Sequence, residues 1–164
     1  MQLDPTRIRR GLAVAALVAG TLAAAPLAHA GTCPADATRF DGTGQAKSST
    51  AGKGVADTVL SSIDLAKEPA KVQGRLLRLR RLVVEPGGVV PWHEHANRPA
   101  LIYVVSGEIT EYASTCAVPI VHRAGEAATE THATAHWWKN TGTETVVLLS
   151  ADLFPAADAN QHTM

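Results

Sequence analysis

The chain has no excess of charge of either sign: its 164 residues carry 15 Lys and Arg against 15 Asp and Glu. A near-neutral chain offers no basic stripe for nucleic acid and no polybasic segment for an anionic membrane, so neither partner is expected. Cysteine is scarce. Cys33 and Cys116 are the only two, which limits the chain to one internal disulfide or two free thiols. No internal repeat and no convincing helical period appears. No nucleophile elbow or ordered Ser-His-Asp set stands out, which leaves a serine-hydrolase reading without support.

One apolar run is present, and it lies at the N-terminus. Arg7, Arg9 and Arg10 precede Gly11 to Leu27, and Ala28-His29-Ala30 closes the run with small residues. A basic head, an apolar middle and a small-residue end make residues 1–30 a secretory signal, with cleavage expected after Ala30. The run is short and Ala-rich for a spanning helix, with Pro26 near its end. The Arg9-Arg10 pair also allows a twin-arginine signal, although its flanks match poorly. A periplasmic or secreted protein with no membrane attachment after cleavage is the expectation. Cleavage takes three basic residues and one acidic residue with it, leaving 12 against 14. The remaining length suits one compact domain and is too short for two.

Residues 31–54 are rich in Gly, Ser, Thr and Ala without an apolar period and read as a flexible leader, loosely packed or draped over the domain. In an exported chain, Cys33 and Cys116 suit a disulfide that would pin this leader. The domain proper is expected over 55–154, with a polar tail over 155–164.

Within the domain the pattern is β. Expected strands are Asp57–Leu65, Arg75–Glu85, Val89–His95, Ala100–Val105, Glu108–Ala113, Val118–Arg123, Ala135–Asn140 and Thr145–Leu153. Pro86-Gly87-Gly88 divides the second from the third, because proline and glycine interrupt ladders. In Arg75–Glu85, Leu77, Leu79 and Val83 share one face, and Arg78 and Arg80 share the other. Many short strands with Gly and Pro punctuation argue for an antiparallel sandwich or barrel.

The chemistry concentrates in two histidine clusters. In the stretch GGVVPWHEHANRPALIYVVSG (87–107), His93 and His95 lie two apart and so share a strand face, a two-toothed clamp for a metal that needs further ligands. A second cluster, GEAATETHATAHWWKN, spans 125–140.

The spacing of these clusters resembles the cupin superfamily. Its first motif, G-x5-H-x-H-x3,4-E-x6-G, finds Gly87, His93, His95 and Gly107 in register. Its second, G-x5-P-x-G-x2-H-x3-N, finds Gly125, His136 and Asn140. Ala100 stands in place of the first motif's glutamate, Thr131 in place of the proline and Ala133 in place of the glycine. The resemblance covers roughly residues 70–152. It implies an all-β double-stranded β-helix, or jelly-roll barrel, with both motifs facing its interior. It also implies a divalent metal held by His93, His95 and His136, with the usual carboxylate missing. Iron, manganese, nickel, copper and zinc are not distinguished by such ligands.

A three-histidine ion would keep open positions for a bidentate substrate and dioxygen, as in some dioxygenases the site resembles. A metal-dependent oxygenase acting on a small organic acid or polyphenol-like substrate is therefore the leading expectation. A metal-dependent lyase or isomerase follows, and then a small-molecule binding or sensing cupin without turnover. Three further residues are candidates for catalysis. Arg98 shares the parity of Ala100 and could hold a substrate carboxylate, or be a solvated loop arginine. Glu130 and His132 lie where the second motif turns; either could be a replacement ligand or a general base, or simply an exposed turn residue. Trp138, Ile102 and Val104 are expected to point inward. His122 has no identifiable partner. Tyr103 alternates outward toward a sheet or dimer contact, which leaves a homodimer open.

Overall fold

The structure, a computed structural model, describes residues 31–158. The expected signal segment, and the end of the tail with His162, lie outside the described residues.

Among the described residues, eight strands form one sheet that curls into a nearly closed barrel. They are β1 (Lys53–Asp64), β2 (Arg75–Glu94), β3 (Ala100–Ser106), β4 (Glu108–Ala113), β5 (Ile120–Arg123), β6 (Ala127–Glu130), β7 (Ala135–Lys139) and β8 (Val146–Pro155). The strand order is β5-β4-β7-β2-β8-β3-β6, with β1 pairing β2 off this path. Every pairing is antiparallel. The jelly-roll expectation is therefore met. Among the described residues, helix is limited to two short 3-10 turns, Ala35–Ala37 and Ala156–Asp158. None of the described helices is long and apolar enough to cross a membrane.

Two expectations about strands need correction. Pro86-Gly87-Gly88 does not end a strand: β2 runs through it for 20 residues. The interruption survives as an irregularity, since β1 shifts register between Lys53 and Val55 opposite this point. Gly87 takes φ 73° and donates its amide to Asn140 O at 3.0 Å, a conformation that favours glycine. Gly88 leaves no room for a Cβ, which would come within 2.8 Å of the Glu85 and Gly54 carbonyl oxygens. The second correction is a missed strand. Ala127–Glu130 pairs with β3, but its four residues, AATE, carry no alternation of bulky apolar side chains to reveal it.

The core fills the barrel with Leu82, Val84, Val90, Ile102, Val104, Ile109, Trp138, Val146 and Leu148. The two faces of β2 were correctly separated by parity, but the arginine face is the inward one. Arg78 and Arg80 are buried beside Leu82 and Val84, while Leu77 and Leu79 face outward and remain exposed. Tyr103 is likewise outward and exposed.

Residues 31–52 pack against one end of the barrel. Cys33 and Cys116 form a disulfide, Thr38 and Cys116 form an isolated bridge, and Gly44 and Gln45 donate amides to Ser114 O and Ala113 O at 2.8 and 2.9 Å. The leader is thus pinned by backbone pairing as well as by the sulfur bridge. Asn140 closes the turn after β7: its Nδ2 donates to Val84 O and Glu144 O, and its Oδ1 accepts from the Gly142 amide.

A candidate metal centre

His93, His95, Glu130 and His136 bring four ligand atoms within 4.8 Å of one another inside the barrel. The β2–β7 register sets His93 directly opposite His136. His95 follows on the same face, just past the end of β2, where its amide bonds Thr134 O at 2.9 Å. Glu130 ends β6. His95, Glu130 and His136 are buried.

Their hydrogen bonds fix which ring nitrogen carries the proton. His93 Nδ1 lies 2.9 Å from Pro91 O, and His95 Nδ1 lies 2.7 Å from Arg98 O. A carbonyl only accepts, so each Nδ1 must donate. His136 Nδ1 donates to Glu111 Oε1 at 2.6 Å. All three Nε2 atoms therefore present lone pairs, and they converge: His136 Nε2 is 3.1 Å from both His93 Nε2 and His95 Nε2. Glu130 adds its carboxylate 3.1 Å from His95 Nε2 and 3.2 Å from His136 Nε2. Three lone pairs and a carboxylate aimed at one point repel each other unless a cation lies between them. Two ligands set at right angles, each about 2.1 Å from one ion, are about 3.0 Å apart. The donor set and its spacing fit a divalent metal.

Burial favours the same state. It drives the imidazole pKa of His93 down to about 2 and that of His95 to about 4, aided by the neighbouring His136. Both are neutral and ready to ligate. Burial, helped by the nearby Glu111 charge, also raises the Glu130 carboxyl to about 7 against the opposing pull of His136, Arg98 and Arg80.

A second layer orients the first. Burial pushes the Glu111 carboxyl up, but hydrogen bonds from His122 and His136 outweigh it and hold the pKa near 2. Glu111 thus bridges His136 to His122, whose Nε2 lies 2.8 Å from Oε2. His122, without an identifiable partner in the sequence, is buried here and stacks on Trp138 at 4.7 Å. The Trp138 indole also packs edge-on against the His136 ring, with centroids 5.6 Å apart. Such carboxylate–histidine–metal chains fix ring orientation and raise ligand basicity.

Beside the four ligands is a cavity of about 20 Å³ lined by Arg80, Leu82, Val90, Arg98, Ile102, Trp138 and Leu148 as well as His93 and Glu130. A wider recess of about 220 Å³, lined by Asn97, Phe154 and Asp158 among others, shares His93 and Arg98 with it.

The cupin domain family (Cupin_2) matches residues 80–152. The domain is a cupin. Among solved structures, a predicted oxalate decarboxylase from Thermotoga maritima is 20% identical, with a TM-score of 0.51 over 71% of this chain and 97% of that one. The Cupin_2 domain of an XRE family transcriptional regulator from Enterobacter cloacae is 12% identical, with a TM-score of 0.47 over 63% and 99%. An oxalate oxidase in complex with the substrate analogue glycolate is 23% identical, with a TM-score of 0.47 over 68% and 59%. At these identities the likeness speaks to fold alone. No curated protein sequence matches the chain.

This cupin departs from the expected three-histidine centre in one respect. The carboxylate absent at position 100 is supplied from the neighbouring strand by Glu130, which pairs with Ala100 in the β3–β6 register. For Glu130 a replacement ligand, a general base and an exposed turn residue were all open; it is 4% exposed at a strand end and joins the ligand cluster. His132 is exposed and lies outside the cluster, because β6 stops at Glu130 and the next residues turn toward solvent. Arg98 is buried and lines the cavity, against the solvated alternative. Trp138, Ile102 and Val104 point inward as expected. The signal that would have singled out Glu130 over His132 is the pairing of β6 with β3, a long-range contact that alternation within a single strand does not reveal.

Proposed function

We propose that this protein is an exported, metal-dependent cupin enzyme acting on a small organic substrate, with oxygenase chemistry as the leading reading. The observation that carries it is the convergence of three Nε2 lone pairs and the Glu130 carboxylate on one point. His93, His95, His136 and Glu130 would hold the ion. When bound, a divalent metal would supply a Lewis acid and, if redox-active, electrons for dioxygen. The chain's own residues do the rest. Leu82, Val90, Ile102, Trp138 and Leu148 keep bulk water from the cavity, which strengthens every charge interaction inside it. Glu111 holds the His136 ring, and the Arg98 carbonyl holds the His95 ring.

Four protein ligands leave an ion fewer open positions than three. The inner cavity, about 20 Å³, has room for about one or two waters. That size favours a second reading, a redox-neutral lyase or isomerase in which one small ligand alone reaches the ion. The two readings separate on oxygen dependence. The protein loaded with iron(II) or manganese(II) is assayed with a panel of small organic acids and phenols under air and under argon. Turnover that consumes oxygen and stops under argon supports the oxygenase. Equal turnover under both, retained with zinc, supports the lyase or isomerase.

Export is supported by the Cys33–Cys116 disulfide, a bond that persists in oxidising compartments. The Gly31 amide also lies 3.1 Å from Glu126 Oε2, so cleavage after Ala30 would set a new α-ammonium against that carboxylate. Sequencing of the mature N-terminus tests this: a first residue of Gly31 supports it, and an intact Met1 in the exported fraction contradicts it.

A further inference from the structure

We propose that the α-ammonium left on Gly31 by signal cleavage docks on His122 and Glu126, and so positions the Glu111–His136 arm of the metal centre. The proposal rests on the export and metal readings above and adds a positioning group to that site.

Gly31 brings the leader against the outer layer of the metal centre. Its backbone lies so close to β5 that a Cβ added there would come 2.3 Å from Val121 O and 2.8 Å from His122 Nδ1. Such an approach favours glycine, which has no Cβ to clash. The Gly31 nitrogen is 3.1 Å from Glu126 Oε2, and the same oxygen accepts the Arg123 amide at 2.8 Å. The Glu126 amide in turn donates to Arg123 O at 2.9 Å. The turn between β5 and β6 therefore holds this carboxylate in place.

His122 carries the unused bonding capacity. It is 1% exposed, and its Nε2 donates to Glu111 Oε2 at 2.8 Å. Its Nδ1 is buried and has no hydrogen-bond partner among the described residues. An imidazole protonated at Nε2 presents a lone pair at Nδ1, and a buried acceptor without a donor is costly. Gly31 is the neighbour on that side of the ring.

Cleavage changes what Gly31 can offer. In the uncleaved chain its nitrogen is a peptide amide with a single N–H, already directed at Glu126. Hydrolysis by a signal peptidase adds one water across the Ala30–Gly31 bond. Ala30 leaves as a carboxylate, and Gly31 keeps the nitrogen as an α-ammonium with three N–H donors. Glu126 Oε2 answers one donor and the charge. His122 Nδ1 and Val121 O, pressed against the Cα that bears this nitrogen, are the acceptors for the others. Capture of an N-terminal amine by clustered acceptors is a general recognition mode.

The contact has a route to the metal ligands. His122 Nε2 and His136 Nδ1 hold the two oxygens of one carboxylate, Glu111. His122 also stacks on Trp138, which packs against His136. A His122 ring anchored at Nδ1 fixes the Glu111 carboxylate, and with it the oxygen that orients His136. The Cys33–Cys116 bridge keeps the amine near this station.

The test compares the chain beginning at Gly31 with the same chain beginning at Ala30, which moves the ammonium one residue outward, and with Glu126→Gln. Nitrogen-15 NMR of the His122 ring, assigned by its loss in His122→Gln, is read in metal-free and zinc-loaded protein. Zinc release to a chelator is timed in parallel. The Gly31 form is expected to show Nδ1 as a hydrogen-bonded acceptor in both states. The Ala30 form should show an unbonded Nδ1 and release zinc about three- to tenfold faster, less than the about 10–100-fold for loss of a ligand's direct partner. Glu126→Gln should fall between the two. A leader with a purely structural role would lower the melting temperature of the Ala30 form and leave the His122 signal and the zinc rate alone, which would overturn the proposal. An Nδ1 bonded equally in both forms, as by a water, overturns it too, and so does a shifted signal with an unchanged zinc rate. Any of these results in a zinc-binding protein whose native N-terminus is Gly31 removes this proposal alone. Failure to take up zinc at all removes the metal-dependent reading with it, and a native exported chain that starts elsewhere removes the expected cleavage site with it.

Discussion

Ala100 and Glu130 sit opposite one another on paired strands, and the carboxylate that the first cupin motif places at position 100 reaches the ligand cluster from position 130 instead. The same corner of the barrel is filled from the other side of a strand pair. Directly opposite residues have Cβ atoms about 5 Å apart, within the reach of a glutamate side chain.

This relationship predicts a swap. Glu130→Ala should lose metal affinity on the order of a hundredfold or more, and Ala100→Glu alone should destabilise the protein by crowding a third carboxylate beside Asp152 and Glu130. The double variant Ala100→Glu/Glu130→Ala should recover part of the lost affinity. Zinc titration of the three variants checks this. A double variant as weak as Glu130→Ala would show that the two positions do not serve the same corner.

Glu111 is a positioning residue. Replacement by Gln keeps the shape but weakens the acceptor that orients His136, and loss of such an outer partner costs about 10–100-fold in metal affinity. Competition with a chelator of known affinity measures it. A loss confined to folding stability, with metal affinity unchanged, would mean that the carboxylate serves His122 and the core instead.

Metal uptake should release a proton below neutral pH. The metal-free Glu130 carboxyl titrates near 7, and the ion binds its ionised form. Below pH 7 the free protein holds the proton and the complex does not, so affinity should rise with pH by up to about tenfold per unit and level off above 7. His93 and His95, already neutral above pH 5, add no slope there. Calorimetry in buffers of differing ionisation enthalpy counts the protons. Release that persists undiminished at pH 8.5 would place the titration elsewhere.

The disulfide joins residues 83 apart in sequence. Replacing Cys33 and Cys116 together by Ser should lower stability by about 2–4 kcal/mol, chiefly through the unfolded chain. Denaturant unfolding with and without reductant reads the difference. No shift would mean that backbone pairing at Thr38, Gly44 and Gln45 suffices to hold the leader.

Much of this was legible in the sequence, because the barrel's determinants are local. Strand alternation, Gly and Pro punctuation and the spacing of His93, His95 and His136 survive in one dimension. Glu108–Ala113 emerged with its full bounds. The parts that were not legible depend on tertiary context. Glu130 was a candidate ligand, but its four-residue strand of small side chains has no period to show which way it points. Arg78 and Arg80 share a face with Leu82 and Val84, and composition alone would send that half of the face outward. Asp152 on the neighbouring strand, together with Asp57 on β1, makes an inward arginine pair tolerable. His122 gained its role from Glu111, a partner eleven residues away across the β4–β5 pair.

The central claim is that four side chains from three separate stretches hold one divalent ion. Elemental analysis of protein purified without chelator, for wild type alongside His136→Ala and Glu130→Gln, tests it most directly. The account predicts about one transition-metal ion per wild-type chain and a clear loss in both variants, each still folded by circular dichroism. A wild-type chain without metal even after reconstitution, or variants that retain metal at the wild-type level, would contradict it.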